Sequence, residues 1–336
     1  MTKKILVTGG AGYIGSHCVL NLLNNGFDVV IFDNLSTGHI ETVNTLQQAG
    51  NVKFYKGDLL NSDDLDNVFE KENVDAIIHF AAFALVGESV ENPAKYYRNN
   101  VCGTLNLLDA MVKHNCKKIV FSSSCATYGN PAYVPVDEKH PQNPVSPYGT
   151  SKLMVEQIMK DYDVAYGLKS VKLRYFNVAG CDKQTRVGEW HEPETHLVPN
   201  ILKSTFDGAQ SFKIFGDDYN TPDGTCIRDY VNVEDLAEVH RLALIYLDKT
   251  NKSDVFNVGT EKGDSVKNIF DVCERVIGKK INVEVVGRRA GDAEALYANS
   301  QKAQTLLGWK PQRTIEDSIS SAYKWEQILT ERLKGN

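Results

Sequence analysis

Lys3-Lys4-Ile5-Leu6-Val7-Thr8-Gly9-Gly10-Ala11-Gly12-Tyr13-Ile14-Gly15 is a short apolar run that breaks into a glycine-rich turn, then passes straight into an apolar, helix-like segment lasting to Leu23. The order is strand, glycine turn, helix. Glycine permits positive φ, and a turn stripped of Cβ atoms lets the N–H groups at the helix N-terminus approach a pyrophosphate. Val29-Val30-Ile31-Phe32 then reads as a second buried strand ending at Asp33, eighteen residues past Gly15. A carboxylate there accepts from ribose hydroxyls and repels a 2′-phosphate, so NAD is expected over NADP. A glycine turn alone is weak evidence. Strand, glycines, helix, second strand and terminal acid together make a strong dinucleotide signature.

The alternation continues outward from that unit. Residues 52–55 run into Gly57-Asp58, residues 76–80 into Ala81-Ala82, and residues 118–121 into Ser122-Ser123-Ser124, with helical stretches at 65–69 and 101–112. Such alternation predicts an α/β fold, a Rossmann-type doubly wound parallel sheet with helices on both faces. Ligands gather at the carboxyl ends of its strands, which makes Asp58, Phe80, Ala81 and Ser124 candidates to line one crevice. A turn-forming acid and a satisfied surface hydroxyl are the bland readings of Asp58 and Ser124.

Ser146-Pro147-Tyr148-Gly149-Thr150-Ser151-Lys152 adds chemistry to the crevice. Ser146 suits a helix cap and Pro147 its first position, so Tyr148 and Lys152, four residues apart, share one helix face. A free phenol has a pKa of about 10, and bringing it to about 7 takes about 4 kcal/mol of preference for the phenolate. One cation about 4 Å away supplies roughly that much at an effective dielectric of about 20. Lys152 is therefore expected to make Tyr148 a general base, provided the pair is close and shielded. The alternative is a solvated helical pair.

Composition narrows the partners. A chain of 336 residues with 42% hydrophobic and 24% charged residues reads as an ordinary globular protein, and a net charge of -6 without a basic run leaves no footprint for nucleic acid. The first residues hold too short an apolar run for a signal peptide and no later run approaches a membrane span, so a cytoplasmic protein with no membrane partner is expected. Seven scattered cysteines without a Cys-x-x-Cys pair point to reduced thiols.

The later half is looser. Residues 171–176 read as a strand ending in Asn177, and residues 181–199 as a loop entering a helix near Leu197. That loop carries His191 and His196, but Pro193 between them prevents a regular helical face and no third ligand is evident, so no metal is expected. A short strand at 212–215, a single strand-like stretch beginning Arg228-Asp229-Tyr230-Val231, a helix at 233–247, and strands at 255–258 and 281–286 follow. Thr314 and Asp317 make a capping box, and Ile315, Ile319, Ala322 and Leu329 make an apolar helical stripe.

Taken together, Val7-Thr8-Gly9-Gly10-Ala11-Gly12-Tyr13-Ile14-Gly15-Ser16, Asp33-Asn34-Leu35, Tyr148-Gly149-Thr150-Ser151-Lys152, Leu173-Arg174-Tyr175-Phe176-Asn177, Gly224-Thr225, Arg228-Asp229-Tyr230 and Leu307-Gly308-Trp309-Lys310-Pro311 resemble the extended short-chain dehydrogenases/reductases. Within them the chain is similar, almost end to end, to the UDP-galactose 4-epimerases. The resemblance implies an NAD-binding domain over residues 1–180, with later contributions near 229–260, and a mainly UDP-sugar-binding region over 181–336. It implies catalytic roles for Tyr148, Lys152 and Ser124. Its cofactor set is Gly9, Gly12, Tyr13, Ile14, Gly15, Asp33, Asn34, Asp58, Leu59, Phe80, Ala81, Ala82, Asn99, Ser122, Tyr148, Lys152 and Tyr175, with Asp33 and Asp58 on the adenosine half. Its substrate set is Ser124, Tyr148, Asn177, His196, Leu197, Phe215, Arg228, Arg289, Asp292 and Leu296, with Phe215 facing the uracil and the two arginines the diphosphate.

The implied mechanism is transient oxidation at the sugar C4: Tyr148 takes the hydroxyl proton while hydride passes to NAD, the keto sugar turns over, and hydride returns to its other face. A homodimer is implied as well. Two departures carry expectations. Ala84 stands where the family often has a Lys near the cofactor pyrophosphate, which predicts weaker NAD retention. Leu296 stands at a position where a Tyr goes with plain hexoses, so activity on UDP-GlcNAc and UDP-GalNAc is expected too. The rival readings are a 4,6-dehydratase, which lacks its acidic pair in Ser124-Cys125-Ala126-Thr127; a UDP-glucuronate epimerase or decarboxylase; and a non-catalytic NAD-sensing scaffold.

Overall fold

The computed structural model describes residues 3–206, 211–289 and 292–334. In chain order its first strands are β1 (Lys4–Thr8), β2 (Asp28–Asp33), β3 (Val52–Lys56), β4 (Ala76–His79), β5 (Lys118–Ser122) and β6 (Lys169–Tyr175). Four short strands follow, β7 (Asn177–Ala179), β8 (Phe212–Phe215), β9 (Ile227–Arg228) and β10 (Tyr230–Asn232), then β11 (Asp254–Val258). The main sheet has seven parallel strands in the order β11-β6-β5-β4-β1-β2-β3. The chain moves outward from β1 to β3 and then returns to β4 on the other side of β1. That reversal opens a crevice beyond the carboxyl ends of β1 and β4.

Period-two alternation explains why helices cover both faces. Ile5, Val7, Val29, Ile31, Ile78 and Val120 pack into one core with Val19 and Leu22 of helix α1 (Tyr13–Asn24). Their neighbours Leu6, Val30, Phe32, Ile77, Ile119 and Phe121 point into the other core. Each strand thus buries both of its faces, as a sheet with helical crossovers requires. Helix α2 (Ile40–Ala49) follows β2, and α3 (Ser62–Lys71) lends Leu65 and Val68 to the second core. Next come α4 (Val86–Glu91), α5 (Pro93–Tyr96), a π-helical segment Tyr97–Cys102, and α6 (Gly103–Lys113). Helix α7 (Pro147–Tyr166) is capped as the sequence reads: the Ser146 side chain accepts from the Gly149 N–H at 3.2 Å, Pro147 opens the first turn, and Gly167 ends the helix at φ 69°.

A smaller region stands over the crevice. Helix α8 (Leu197–Lys203), α9 (Val233–Thr250), α10 (Val266–Ile277), α11 (Gln301–Leu307) and α12 (Ile315–Lys334) complete the helices, with strands β12 (Asp264–Ser265), β13 (Val283–Val286) and β14 (Ala295–Leu296). Helix α9 returns to the main sheet through Leu236, Val239, Ala243 and Leu247, whereas α8, α10 and α12 form a third core around Ile201, Ile269, Phe270 and Ile319. Reciprocal bonds between Thr314 and Asp317, the N–H of each accepted by the other's side chain at 2.9 and 3.1 Å, close the start of α12.

One stretch departs from the sequence reading. Arg228 to Val231 is not a single strand: β9 and β10 belong to different sheets and divide at Asp229. The Asp229 carboxylate is fully buried and accepts from the Thr260 N–H and hydroxyl at 2.8 and 2.6 Å and from the Ala298 N–H at 3.1 Å. Alternation of apolar residues says nothing about an acid that turns inward. No helix among the described residues is long and apolar enough to cross a membrane.

Candidate active site

The glycine turn after β1 forms the floor of the crevice. Gly9 has φ 75°, and a Cβ there would sit 2.6 Å from the Ala81 nitrogen. At Gly15 a Cβ would meet the Gly9 carbonyl oxygen at 2.1 Å, so the helix can start this close to the turn only with glycine. Gly12 has nothing nearer than that oxygen at 3.5 Å and lines the cleft, so it presents backbone, not side chain. No acidic residue stands in the first turn of α1, which leaves the positive end of the helix for an anion. This cradle fits the pyrophosphate of a dinucleotide.

A cleft of about 250 Å³, open to solvent, runs from this turn along the ends of β4, β5 and β6. Every residue of the expected cofactor set lines it, together with Ser124, Asn177, His196 and Ala84. Asp33 closes the end of β2. Its two carboxylate oxygens accept from the N–H groups of Ala11 and Leu35 at 3.0 and 2.8 Å, while burial raises its pKa against those bonds. Asp58 accepts from Asn34 Nδ2 at 3.0 Å. The buried histidines beneath the cleft are neutral: burial lowers His17 to about 4 and His79 to about 3.

Tyr148 and Lys152 share the inner face of α7 and are 8% and 4% exposed. Burial holds the Tyr148 phenol well above the ordinary tyrosine value, and a hydrogen bond with Ser124 offsets part of the rise. Lys152 is pushed down to about 7 by burial, with the carboxylate of Glu156 opposing. Its ammonium donates to the Ser122 carbonyl at 2.8 Å and lies 5.8 Å from the centre of the Tyr148 ring. The shielding expected of the pair is present, but burial desolvates both charged forms as well as strengthening their attraction, so on the protein's own groups the phenol shifts up and the ammonium down.

Further residues hold this helix in place. Glu156, one turn past Lys152, accepts from Arg174 Nε at 2.9 Å and from Ser123 Oγ at 2.6 Å. Arg174 also donates to the Tyr128 hydroxyl at 2.9 Å, which donates to Asn257 at 2.6 Å. The Tyr175 hydroxyl bonds Ser122 Oγ, and burial pushes Tyr175 up to about 12.

The remaining expected substrate residues lie outside the cleft lining. Arg228 donates to the carbonyls of Ile227 and Ala293 at 2.8 and 2.7 Å and pairs with Asp292 at 3.4 Å. The Arg289 guanidinium covers the Phe215 ring at 3.8 Å. Leu296 pairs with Arg228 in the β14–β9 register and packs against a small core that includes Phe176 and is also met by Cys125. Leu197 opens α8 and packs toward the third core.

A family model described as GDP-mannose 4,6 dehydratase matches residues 6–322. The UDP-glucose 4-epimerase of Lactobacillus helveticus is 50% identical over 325 residues, covering 96% of this chain and 97% of that one. The UDP-glucose 4-epimerase of Bifidobacterium longum, solved with NAD+ and UDP, superposes with a TM-score of 0.92 at 40% identity, covering 97% and 98% of the two chains. The UDP-Glc/GlcNAc 4-epimerase of Campylobacter jejuni superposes with a TM-score of 0.86, also at 40% identity, over 97% and 99%.

The chain belongs to the UDP-glucose 4-epimerase family of extended short-chain dehydrogenases/reductases. Against the dehydratase reading stands the residue after Ser124: it is Cys125, whose thiol burial pushes up to about 12, where an acid would be required. What the sequence reading of this epimerase missed is Glu189 and His191, which join His196 in the cleft wall. It also found no third ligand near the two histidines, yet the loop curls to bring Glu189 and Glu194 against both. The argument from helical spacing does not apply to an irregular loop. The available signal was a repeat, Glu189-x-His191 and Glu194-x-His196.

Proposed function

We propose that this protein inverts C4 of UDP-hexoses, interconverting UDP-glucose with UDP-galactose and UDP-GlcNAc with UDP-GalNAc, with NAD as resident cofactor. The observation that carries the reading is the convergence of Ser124, Tyr148 and Lys152 with the glycine cradle in one cleft. The glycine turn, Asp33, Asp58, Asn99 and Lys152 would hold NAD, which supplies a hydride acceptor that gives the hydride back, so no net oxidation results. Tyr148 takes the proton of the sugar 4-hydroxyl and later returns it, and Ser124 steadies the same oxygen. A positive nicotinamide would add the stabilisation of phenolate that Lys152 alone does not give. Arg228 and Arg289 meet the diphosphate, with Phe215 under the uracil once Arg289 moves aside.

Leu296 lacks the ring and hydroxyl of a tyrosine, which leaves room for a 2-N-acetyl group. The Campylobacter jejuni relative, a UDP-Glc/GlcNAc 4-epimerase, supports the same breadth. In this reading residues 1–180 chiefly serve the cofactor and 181–336 the sugar nucleotide, the chain works in the cytoplasm, and two copies associate. The test is incubation of the purified protein, without added cofactor, with each UDP-hexose and UDP-N-acetylhexosamine, followed by separation of the C4 epimers. Both pairs should equilibrate. No epimer from any of the four even after NAD is added would overturn the reading, and no turnover of UDP-GalNAc at saturation would remove its N-acetyl part.

A further inference from the structure

The loop between β7 and α8 gathers four ligating side chains, of which only His196 belongs to the expected substrate set. Glu189, His191, Glu194 and His196 each place a ligand atom within 4.8 Å of all the others. His191 Nδ1 stands 3.3 Å from Glu189 and 3.6 Å from Glu194, and His196 Nδ1 stands 2.9 and 3.1 Å from the same two carboxylates. A tetrahedral ion with bonds of about 2.0–2.1 Å has ligand–ligand edges of about 3.3 Å. The four separations straddle that edge.

An ion-pair cluster of the same residues would aim N–H groups at carboxylate oxygens. All four His–Glu pairs lie within ion-pair reach, His196 Nδ1 and Glu189 Oε1 at 2.9 Å the nearest, but only His196 toward Glu194 Oε1 has the aim of a hydrogen bond. Glu189 Oε1, His191 Nδ1 and Glu194 Oε2 are buried with charged neighbours but no well-aimed hydrogen bond, on carboxylate side chains only 7% and 5% exposed. Buried carboxylate oxygens need a partner. A dication at the common point would supply it and bring two carboxylates and two imidazoles to zero net charge. Two nitrogen donors argue against calcium or magnesium and for a zinc-class ion.

The surroundings hold the ligands from behind. Glu194 Oε1 accepts from the N–H groups of Thr195 and His196 at 2.8 Å each, and the Glu189 carbonyl accepts from the Trp325 indole at 2.8 Å. Such outer bonds orient ligands before an ion arrives.

We propose that Glu189, His191, Glu194 and His196 bind one zinc-class divalent ion that fastens this loop to the start of α8. With all four positions filled by protein, the ion is structural, not catalytic. It stiffens the cleft wall beside Tyr13, whose ring meets His191 edge-on at 6.2 Å.

The test uses the full chain. After treatment with a chelator the protein is titrated with cobalt(II), and visible absorption is followed in the wild type, His191→Gln and Glu194→Gln, each checked for folding by circular dichroism. The wild type should take up about one ion per chain with the intense bands of tetrahedral cobalt, and each folded variant should lose at least about nine-tenths of that signal. Zinc-edge X-ray absorption of the wild type needs no variant and should show about four nitrogen or oxygen neighbours at about 2.0–2.1 Å. Absence of stoichiometric binding, an unchanged spectrum in a folded variant, or a shell containing sulfur would each overturn the proposal.

Discussion

At Tyr148 and Lys152 burial does two opposed things: it shields the two groups from water, and it penalises the charge each must carry. Tyr148→Phe should cut turnover roughly a hundredfold or more, the scale of a lost general base, with circular dichroism and NAD content unchanged. Activity within tenfold of wild type would remove the assignment. Lys152 carries a prediction of its own. Its folded pKa, about 7, lies below the ordinary lysine value of 10.5, so the unfolded chain binds more protons between those two limits. The cost of burying the ammonium is therefore complete below about pH 7 and fades as pH rises toward 10.5. Lys152→Met should lose activity yet gain stability in urea, by about 5 kcal/mol at pH 6 against about 1 kcal/mol at pH 10, as orders of magnitude. Equal gains at both pH values would contradict the shift. Leu296 tests size instead of charge: Leu296→Tyr should lower kcat/KM for UDP-GalNAc by about tenfold or more while changing UDP-galactose little. Parallel losses on both sugars would show that the position does not discriminate.

Among the elements, α7 holds the catalytic pair and is itself held by Glu156, locked to Arg174 on β6 and through Tyr128 to Asn257 on β11. Arg174→Met strands a buried carboxylate and should cost about 3–5 kcal/mol, whereas the double variant Glu156→Leu with Arg174→Met should cost much less, because no unpaired charge remains. Urea denaturation of the three variants measures both terms. Additive costs would mean the pair acts through packing instead. The elements also show where sequence reading worked. The units from β1 to α7 were legible because each needs only contiguous signals: alternation, a glycine turn, a cap. Asp229 was read inside one strand, since its partners Thr260 and Ala298 lie far along the chain. The cluster of two Glu and two His stayed hidden for a related reason: an irregular loop has no period to read, and helical spacing was the wrong ruler. The stacking of Arg289 on Phe215 was equally out of reach, because charge logic assigns an arginine to phosphate and says nothing of where it rests.

For the molecule as a whole, the two faces of the main sheet are not covered alike. The face carrying α1 and α9 is backed further by Ala303, Leu307 and the buried Trp309, whose indole donates to the Asp235 carbonyl at 2.8 Å. On the opposite face, α6 and α7 pack beside one another, α4 lies against α7, and their outer surfaces carry exposed Leu105, Met154, Val86 and Val90. Single exposed apolar residues mean little, but four on three neighbouring helices mark a face that association would cover. A stable interface buries about 800 Å² from each partner, more than one helix supplies and within reach of three. If two copies meet over these helices, a pair of carboxylates on α6 and α7 must be desolvated without partners, at a cost larger than most interfaces can bear. Leu105→Glu combined with Met154→Glu should therefore convert a dimer into a monomer in light scattering, with circular dichroism unchanged because both side chains already face water. A wild-type chain that is monomeric at micromolar concentration would sink the expectation outright, and a double variant that remains dimeric would move the interface elsewhere.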